Sequence, residues 1–156
     1  MKGNTKVIDT LNGLLTHEMS AADQYFIHSR MFQDWGLEEL YERLKHEQEE
    51  ELEHAAQIVE RILFLEGTPD VAAREKLKIG ADVKSMIEND LAYEVFVQKE
   101  LVAAIAVCEQ ESDYVSRQVL VKLLDDTETD HIHWCEQQLG LIDKMGLQNY
   151  IQSKMS

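Results

Sequence analysis

Apolar residues recur along this chain at alternating steps of three and four, the spacing of the buried face of an α-helix. Four such stripes occur in succession, over positions 8–32, 37–65, 87–108 and 121–142. Turn signals separate them, with Asp34-Trp35-Gly36 after the first and Gly67-Thr68-Pro69, which holds the only proline, after the second. The pattern predicts helices over 4–34, 37–65, 82–111, 114–145 and 147–155.

The predicted connections between helices differ in length, and this restricts the architecture. The link after the first helix is so short that the first two helices should pack antiparallel. Residues 70–81 carry no sustained stripe and are predicted to form a long crossover, after which Asp82 is a suitable N-cap for the third helix. The sequence therefore predicts an all-α fold: a four-helix bundle with one long crossover and a short fifth helix, in a single domain over 1–156.

Size and charge narrow the classes of partner. A chain of 156 residues with 44% apolar content can bury a core as one domain. The formal net charge of −15 argues against nucleic-acid or anionic-membrane binding and favours cations. The chain has two cysteines, too few for a disulfide framework, and no apolar run approaches a membrane span. We expect no nucleic-acid partner, no membrane and a cytoplasmic location.

Six charged side chains interrupt the apolar stripes. The first and third helices each contribute one glutamate, and the second and fourth each contribute Glu-x-x-His, in which the i, i+3 spacing puts both side chains on one α-helical face. These residues are Glu18, Glu51, His54, Glu94, Glu128 and His131. Four carboxylates would neutralise two divalent ions, and oxygen with imidazole ligands suits iron or manganese. The pattern matches that of di-iron carboxylate bundles.

Several longer stretches of the sequence indicate a protein family more specifically than the spacing of the six charged residues does. The sequence resembles the bacterioferritins and related bacterial ferritins over nearly its whole length, on the stretches Gln24–Phe32, Asp34–Leu37, Glu60–Gly67, Asp113–Arg117 and Lys144–Tyr150. The resemblance implies a ferritin-like fold and a hollow shell of 24 subunits. It also implies iron storage, in which a ferroxidase oxidises Fe(II) with O2 or H2O2 and the ferric mineral is kept inside the shell.

The resemblance also implies roles for single residues. One iron would be bound by Glu18, Glu51 and His54, and the other by Glu94, Glu128 and His131, with Glu51 and Glu128 bridging. Tyr25 lies on the same stripe, where its hydroxyl would bond a ligand or supply an electron, or would simply be a buried tyrosine.

The resemblance implies roles for four further residues on weaker grounds. His46 and Glu50 resemble an inner-surface iron site, although a solvated charge cluster explains them equally well. Asn149 and Gln152 correspond to the pore at the four-fold axis of the shell.

Position 52 departs from the bacterioferritins, which bind haem between two subunits through a methionine there. This chain has Leu52, which offers no donor atom to haem iron. We therefore expect no haem in a homomeric shell. The chain would form a haem-free ferritin, or would co-assemble with a second, haem-binding bacterioferritin subunit. A small ferredoxin as reductant is implied by the resemblance but weakened by this change.

Two other functions fit the same helices. A rubrerythrin-like di-iron peroxidase or oxygenase would act as a dimer, but the chain has no Cys-rich segment and does have the tail 147–155. A non-enzymatic or DNA-protecting shell subunit is the other alternative. The size of the native particle distinguishes a 24-subunit shell from both the dimer and a 12-subunit shell.

Overall fold

Helices account for every regular element of the chain. The computed structural model describes residues 1–156 and places them in this order: α1 (Thr5–Asp34), α2 (Glu38–Phe64), α3 (Val83–Gln110), α4 (Tyr114–Asp126), a π-helical turn (Thr127–Ile132), α5 (His133–Met145) and α6 (Leu147–Ser153). The predicted all-α fold, with a long crossover between α2 and α3 and a short terminal helix, is confirmed. None of the helices is both long and apolar enough to cross a membrane.

The helix boundaries follow from capping residues. The side chains of Asn4, Asp82 and Asp113 accept hydrogen bonds from backbone N–H groups in the first turns of α1, α3 and α4. Gly36 and Gly146 have φ angles of 78° and 82°, a left-handed conformation that glycine adopts without steric cost. These two glycines turn the chain after α1 and between α5 and α6.

The fourth rod of the bundle, which consists of α4, the π turn and α5, differs from the prediction of one unbroken α-helix over 114–145. The backbone stays helical from α4 into α5, but residues 127–132 form a π-helical turn, whose hydrogen bonds span five residues instead of four. The hydroxyls of Thr127 and Thr129 donate to the carbonyl oxygens of Leu123 and Asp125 at 2.9 and 2.7 Å. The wider turn changes which side chains face the bundle interior.

The apolar core is divided into two parts. One contains 14 buried residues, among them Leu15, Ala55, Val97 and Leu123, and the other contains 13, among them Ala21, Leu44, Ile87 and Cys135. Each long helical segment of the bundle runs from one part to the other, and the buried residues Glu18, Glu51, His54, Glu94 and His131 lie between the two parts. The polar residues therefore sit in the middle of the bundle.

The crossover is held against α1 by a ladder of buried side chains spaced four residues apart. Ser20, Gln24 and His28 accept hydrogen bonds from the backbone N–H groups of Glu75, Lys78 and Gly80, at 2.8, 3.1 and 3.1 Å. Asp90 of α3 completes this crossover cluster, which we define as Ser20, Gln24, His28 and Asp90.

Within the crossover cluster, one oxygen of Asp90 accepts from both Gln24 Nε2 and His28 Nδ1, each at 2.8 Å. Because Nε2 of His28 accepts from Gly80, the ring must be neutral, with its proton on Nδ1. The cluster thus joins α1, α3 and the crossover.

The terminal helix α6 is anchored by one buried tyrosine. Tyr150 is fully buried, and its hydroxyl donates to Oε1 of Gln138 on α5 at 2.7 Å. Lys154 adds an ion pair with Glu39 of α2 at 2.9 Å. The tail therefore packs on the end of the bundle.

Candidate metal centre

Five of the six predicted ligands converge between the two parts of the core. Their donor atoms form two groups, each within 4.8 Å: Glu18, Glu51 and His54 in one, and Glu51, Glu94 and His131 in the other. All five residues are at most 3% exposed. Because Glu51 belongs to both groups, the arrangement can hold two metal ions that share one carboxylate. We call these five residues the metal centre.

The contacts within the metal centre are short. Nδ1 of His54 lies 3.3 Å from Oε2 of Glu18, and Nδ1 of His131 lies 3.2 Å from Oε1 of Glu94 and 2.8 Å from Oε1 of Glu51. The two imidazole rings stack, with centroids 5.8 Å apart. Side chains from α1, α2, α3 and the π turn therefore meet at one point.

Several carboxylate oxygens of the metal centre have no hydrogen-bond partner although they are buried. They are one oxygen of Glu18, both oxygens of Glu51 and one oxygen of Glu94. Oε1 of Glu51 is close to His131, but the pair is not aligned as a hydrogen bond. A buried charge without a partner costs several kcal/mol, and metal coordination removes that cost. The unpartnered oxygens and the two imidazoles fit iron or manganese.

The pKa shifts show how strongly these groups repel and attract one another. Burial, followed by repulsion from Glu18 and Glu94, raises the pKa of Glu51 well above its ordinary value. Burial opposes the protonation of His131, but the nearby carboxylates of Glu94, Glu47 and Glu50 outweigh it and raise the pKa of the ring. The centre therefore favours positive charge at its middle.

Tyr25 contacts a residue of the metal centre directly. Its hydroxyl donates to Oε1 of Glu94 at 2.6 Å, and the side chain is 3% exposed. Burial, together with the charge of Glu94, raises the pKa of the phenol well above its ordinary value. Tyr25 therefore stays protonated and orients one carboxylate of the centre.

The structure does not bring Glu128 to the metal centre, in contrast to the expectation from its Glu-x-x-His spacing. Glu128 is exposed and belongs to no group of potential ligands. The reason is the π turn: residues three apart share a face in an α-helix, but the wider turn separates Glu128 from His131. The neighbouring Thr127 is buried instead of Glu128.

A further set of carboxylates, of which the sequence predicted only Glu50 as a site residue, lies on the other side of the His131 ring. Nε2 of His131 is 2.8 Å from Oε2 of Glu47 and 2.8 Å from Oε2 of Glu50. A carboxylate oxygen of Asp130 lies within 4.8 Å of the donor atoms of these three residues. We call Glu47, Glu50 and Asp130 the acidic group. Glu47 lies on the inward stripe of its helix, so its burial could have been predicted from the sequence. His46 is 57% exposed and contacts Glu50 at 2.9 Å, outside any ligand group.

The remaining predicted site residues lie at the surface. Leu52 is 43% exposed on α2 and follows the buried Glu51 in the sequence. Asn149 and Gln152 are exposed on α6. All three are accessible in a single subunit.

Comparison with known proteins agrees with this geometry. The family model of the ferritin-like domain matches residues 8–145. The chain is 56% identical over 156 residues to a bacterial ferritin of Synechocystis sp., covering 100% of both chains. It is 54% identical over 155 residues to a bacterial ferritin of Pseudomonas aeruginosa (99% of this chain, 100% of the relative). It is 39% identical over 152 residues to a bacterioferritin of Brucella melitensis (97% and 94%).

A family match that covers most of the chain, relatives aligned from end to end, and a bundle with a buried carboxylate and imidazole centre lead to one conclusion. This chain belongs to the family of ferritin-like domains.

Proposed function

We propose that this chain is an iron-storage subunit whose metal centre is a ferroxidase that oxidises Fe(II) to Fe(III). The observation that carries the proposal is the set of four buried carboxylate oxygens without hydrogen-bond partners, in a chain aligned end to end with bacterial ferritins. Iron is the substrate and the stored cargo. The oxidised iron would then be kept as a ferric mineral.

The proposed oxidation of Fe(II) requires the metal centre to hold two Fe(II) ions side by side. Each ion would take one imidazole and one terminal carboxylate, His54 with Glu18 and His131 with Glu94, while Glu51 bridges. A pair of ions about 3.5–4 Å apart, as in other two-metal sites, can supply two electrons together. Two electrons reduce O2 to H2O2, or H2O2 to water, without releasing a one-electron product. Tyr25 would hold Glu94 in position through its hydrogen bond.

Removal of the shared ligand tests this assignment most directly. Glu51→Ala should abolish rapid Fe(II) oxidation, followed by stopped-flow absorbance, while assembly is retained. Glu94→Ala and His131→Ala should impair the second position in the same way. Glu128→Ala is the matched control, because Glu128 carries the same functional group on an exposed position and should leave the rate within about twofold. Equal loss in Glu51→Ala and Glu128→Ala would contradict the assigned ligand set.

We propose in addition that the subunits form a closed shell of 24 copies, with the exposed α6 residues Asn149 and Gln152 near its pores. The mass of the native particle tests this, and a dimer or a 12-subunit particle would contradict it. A ferredoxin that delivers electrons for iron release remains a prediction from the resemblance alone.

Haem binding tests whether the shell is homomeric. With Leu52 in place of an axial methionine, a shell of this chain alone should lack a bis-methionine haem spectrum. Leu52→Met conserves volume and should be tolerated. Haem uptake by this variant would favour natural co-assembly with a haem-binding subunit, whereas no uptake would favour a homomeric shell.

A further inference from the structure

The acidic group already has a cation beside it, supplied by the chain itself. Nη2 of Arg43 lies 2.6 Å from Oε1 of Glu47, one helical turn away on α2, and 2.7 Å from Oδ1 of Asp130 on the π turn. The guanidinium also stacks over the ring of Trp134 at 5.0 Å. One positive charge therefore joins two of the three carboxylates.

Without that charge, the acidic group would have the character of a metal site. Donor atoms of Glu47, Glu50, Asp130 and His131 lie within 4.8 Å of one another. Glu47 is 1% exposed, and neither of its oxygens has a hydrogen bond of good geometry. The group is therefore more than an exposed patch of acidic residues, since it includes a buried carboxylate whose close polar contacts are two charged-pair contacts, with Arg43 and His131.

His131 serves the metal centre and the acidic group with different nitrogens. A neutral imidazole has one lone pair and one N–H. Nε2 faces the carboxylates of Glu47 and Glu50, so its proton belongs there, and the lone pair of Nδ1 is left for the metal held with Glu51 and Glu94. A further metal ion in the acidic group would therefore be bound by carboxylate oxygens, with the His131 N–H at its side.

We propose that Arg43 acts as a built-in counter-ion that keeps the acidic group from binding a third metal ion and so limits each subunit to two. This inference rests on the proposed function of the metal centre. Arg43 carries out the role through charge and position: its guanidinium neutralises Glu47 and donates a hydrogen bond to Asp130, and the same contacts tie the π turn, which carries His131, to α2. Arg43 is thus a specificity-determining residue that does not itself touch substrate.

Metal stoichiometry and position provide the test, using Mn2+ as a hard divalent probe suited to oxygen ligands. Equilibrium dialysis with metal analysis gives the ions per subunit. Anomalous diffraction from Mn2+-soaked crystals of the assembled protein locates them, so that only ions beside the named residues are counted. Wild type should hold two ions, both in the metal centre. Arg43→Leu, which keeps an apolar stem over Trp134 but removes the charge and all donor atoms, should hold a third ion among Glu47, Glu50 and Asp130.

Matched variants separate charge from shape. Arg43→Lys keeps the positive charge and should hold two ions, like wild type. Adding Asp130→Asn to Arg43→Leu removes one carboxylate and should return the count to two. If Arg43→Leu does not assemble, Arg43→Gln carries the same expectation with a polar head group against Asp130.

The outcomes distinguish this inference from the proposed function. A wild-type protein with no Mn2+ in the metal centre contradicts the proposed function. Two ions in the metal centre of wild type and of both neutral variants, with none in the acidic group, overturns the inference and leaves the proposed function intact. A third ion in the acidic group of wild type also overturns it.

Discussion

Two polar clusters are buried along α1, and they differ in how their polar atoms are satisfied. In the crossover cluster, Ser20, Gln24 and His28 each have hydrogen-bond partners, and only one oxygen of Asp90 lacks one. In the metal centre, four carboxylate oxygens lack partners. Both clusters are almost completely excluded from solvent.

This difference distinguishes polar groups that are buried to stabilise the fold from polar groups that are buried to bind a ligand. A buried group whose partners come from the protein stabilises the fold, because its hydrogen bonds replace those it made with water. A buried group without partners costs free energy in the absence of a ligand and is retained where a ligand supplies what is missing. Substitutions in the two clusters should therefore change the stability of the metal-free protein in opposite directions.

The largest effect should come from Asp90→Ala in the crossover cluster. The change leaves Nε2 of Gln24 and Nδ1 of His28 buried without an acceptor, and each buried donor left unsatisfied costs about 1–3 kcal/mol. Thermal unfolding of the metal-free protein at one fixed concentration measures the loss. Glu88→Ala, an exposed acidic position on the same helix, should change stability by less than about 0.5 kcal/mol. Equal losses in both variants would remove the basis of the comparison.

Glu94→Gln should have the opposite sign and a smaller size. The amide oxygen still accepts from Tyr25, but the substitution removes one of the two carboxylates that repel Glu51. The metal-free variant should therefore be more stable by about 1 kcal/mol, because the relief of repulsion and of charge desolvation outweighs the lost attraction to His131. The added stability that wild type gains from Mn2+ should shrink in the same thermal unfolding experiment. A destabilised metal-free variant would contradict the idea that the unpartnered carboxylates are costly.

Asp113 extends the comparison to a well-satisfied carboxylate outside both clusters. It accepts from the backbone of Ser116 and pairs with Arg61, and although burial acts the other way these bonds lower its pKa below the ordinary 3.8. A lowered folded-state pKa means that the stabilisation is complete above the unfolded-state value and is lost as the pH falls through the folded-state value. Asp113→Ala should cost about 1 kcal/mol at pH 7, as for other N-caps.

Denaturant unfolding of wild type and Asp113→Ala as a function of pH checks this sign. The difference in stability between the two proteins should be constant near neutral pH and should shrink below about pH 4, where the wild-type carboxyl becomes protonated. A difference that instead grows toward acid pH would show that Asp113 does not stabilise the fold as a carboxylate.

The smallest effect is expected for Ser20→Ala. The variant loses the acceptor for the N–H of Glu75, but Glu75 is exposed, so water can replace the lost bond. The cost should lie near the lower end for a single hydrogen bond, about 0.5 kcal/mol. Amide exchange at Glu75 should accelerate while exchange in the core of α1 stays unchanged. Faster exchange throughout α1 would show that the ladder supports the helix as well as the crossover.

Local patterns predicted most of this fold. The three- and four-residue spacing of apolar side chains, the capping residue Asp82 and the Gly67-Thr68-Pro69 stop are properties of short segments, and each acts where it stands in the sequence. The burial of Glu18, Glu51, His54, Glu94 and His131 was predictable for the same reason, because each interrupts an apolar stripe at a position that a regular helix turns inward.

The sequence by itself thus determined the helices, their order and five of the buried polar residues. Only the tertiary structure decided how those residues are partnered. The spacing of Glu128 and His131 implies one face of an α-helix, but the π turn separates them. Likewise, nothing local shows that Arg43 lies against Asp130, because the two residues are 87 positions apart. Periodicity specifies which way a side chain points along its own helix, whereas contacts between helices depend on how the rods pack and where one of them is interrupted.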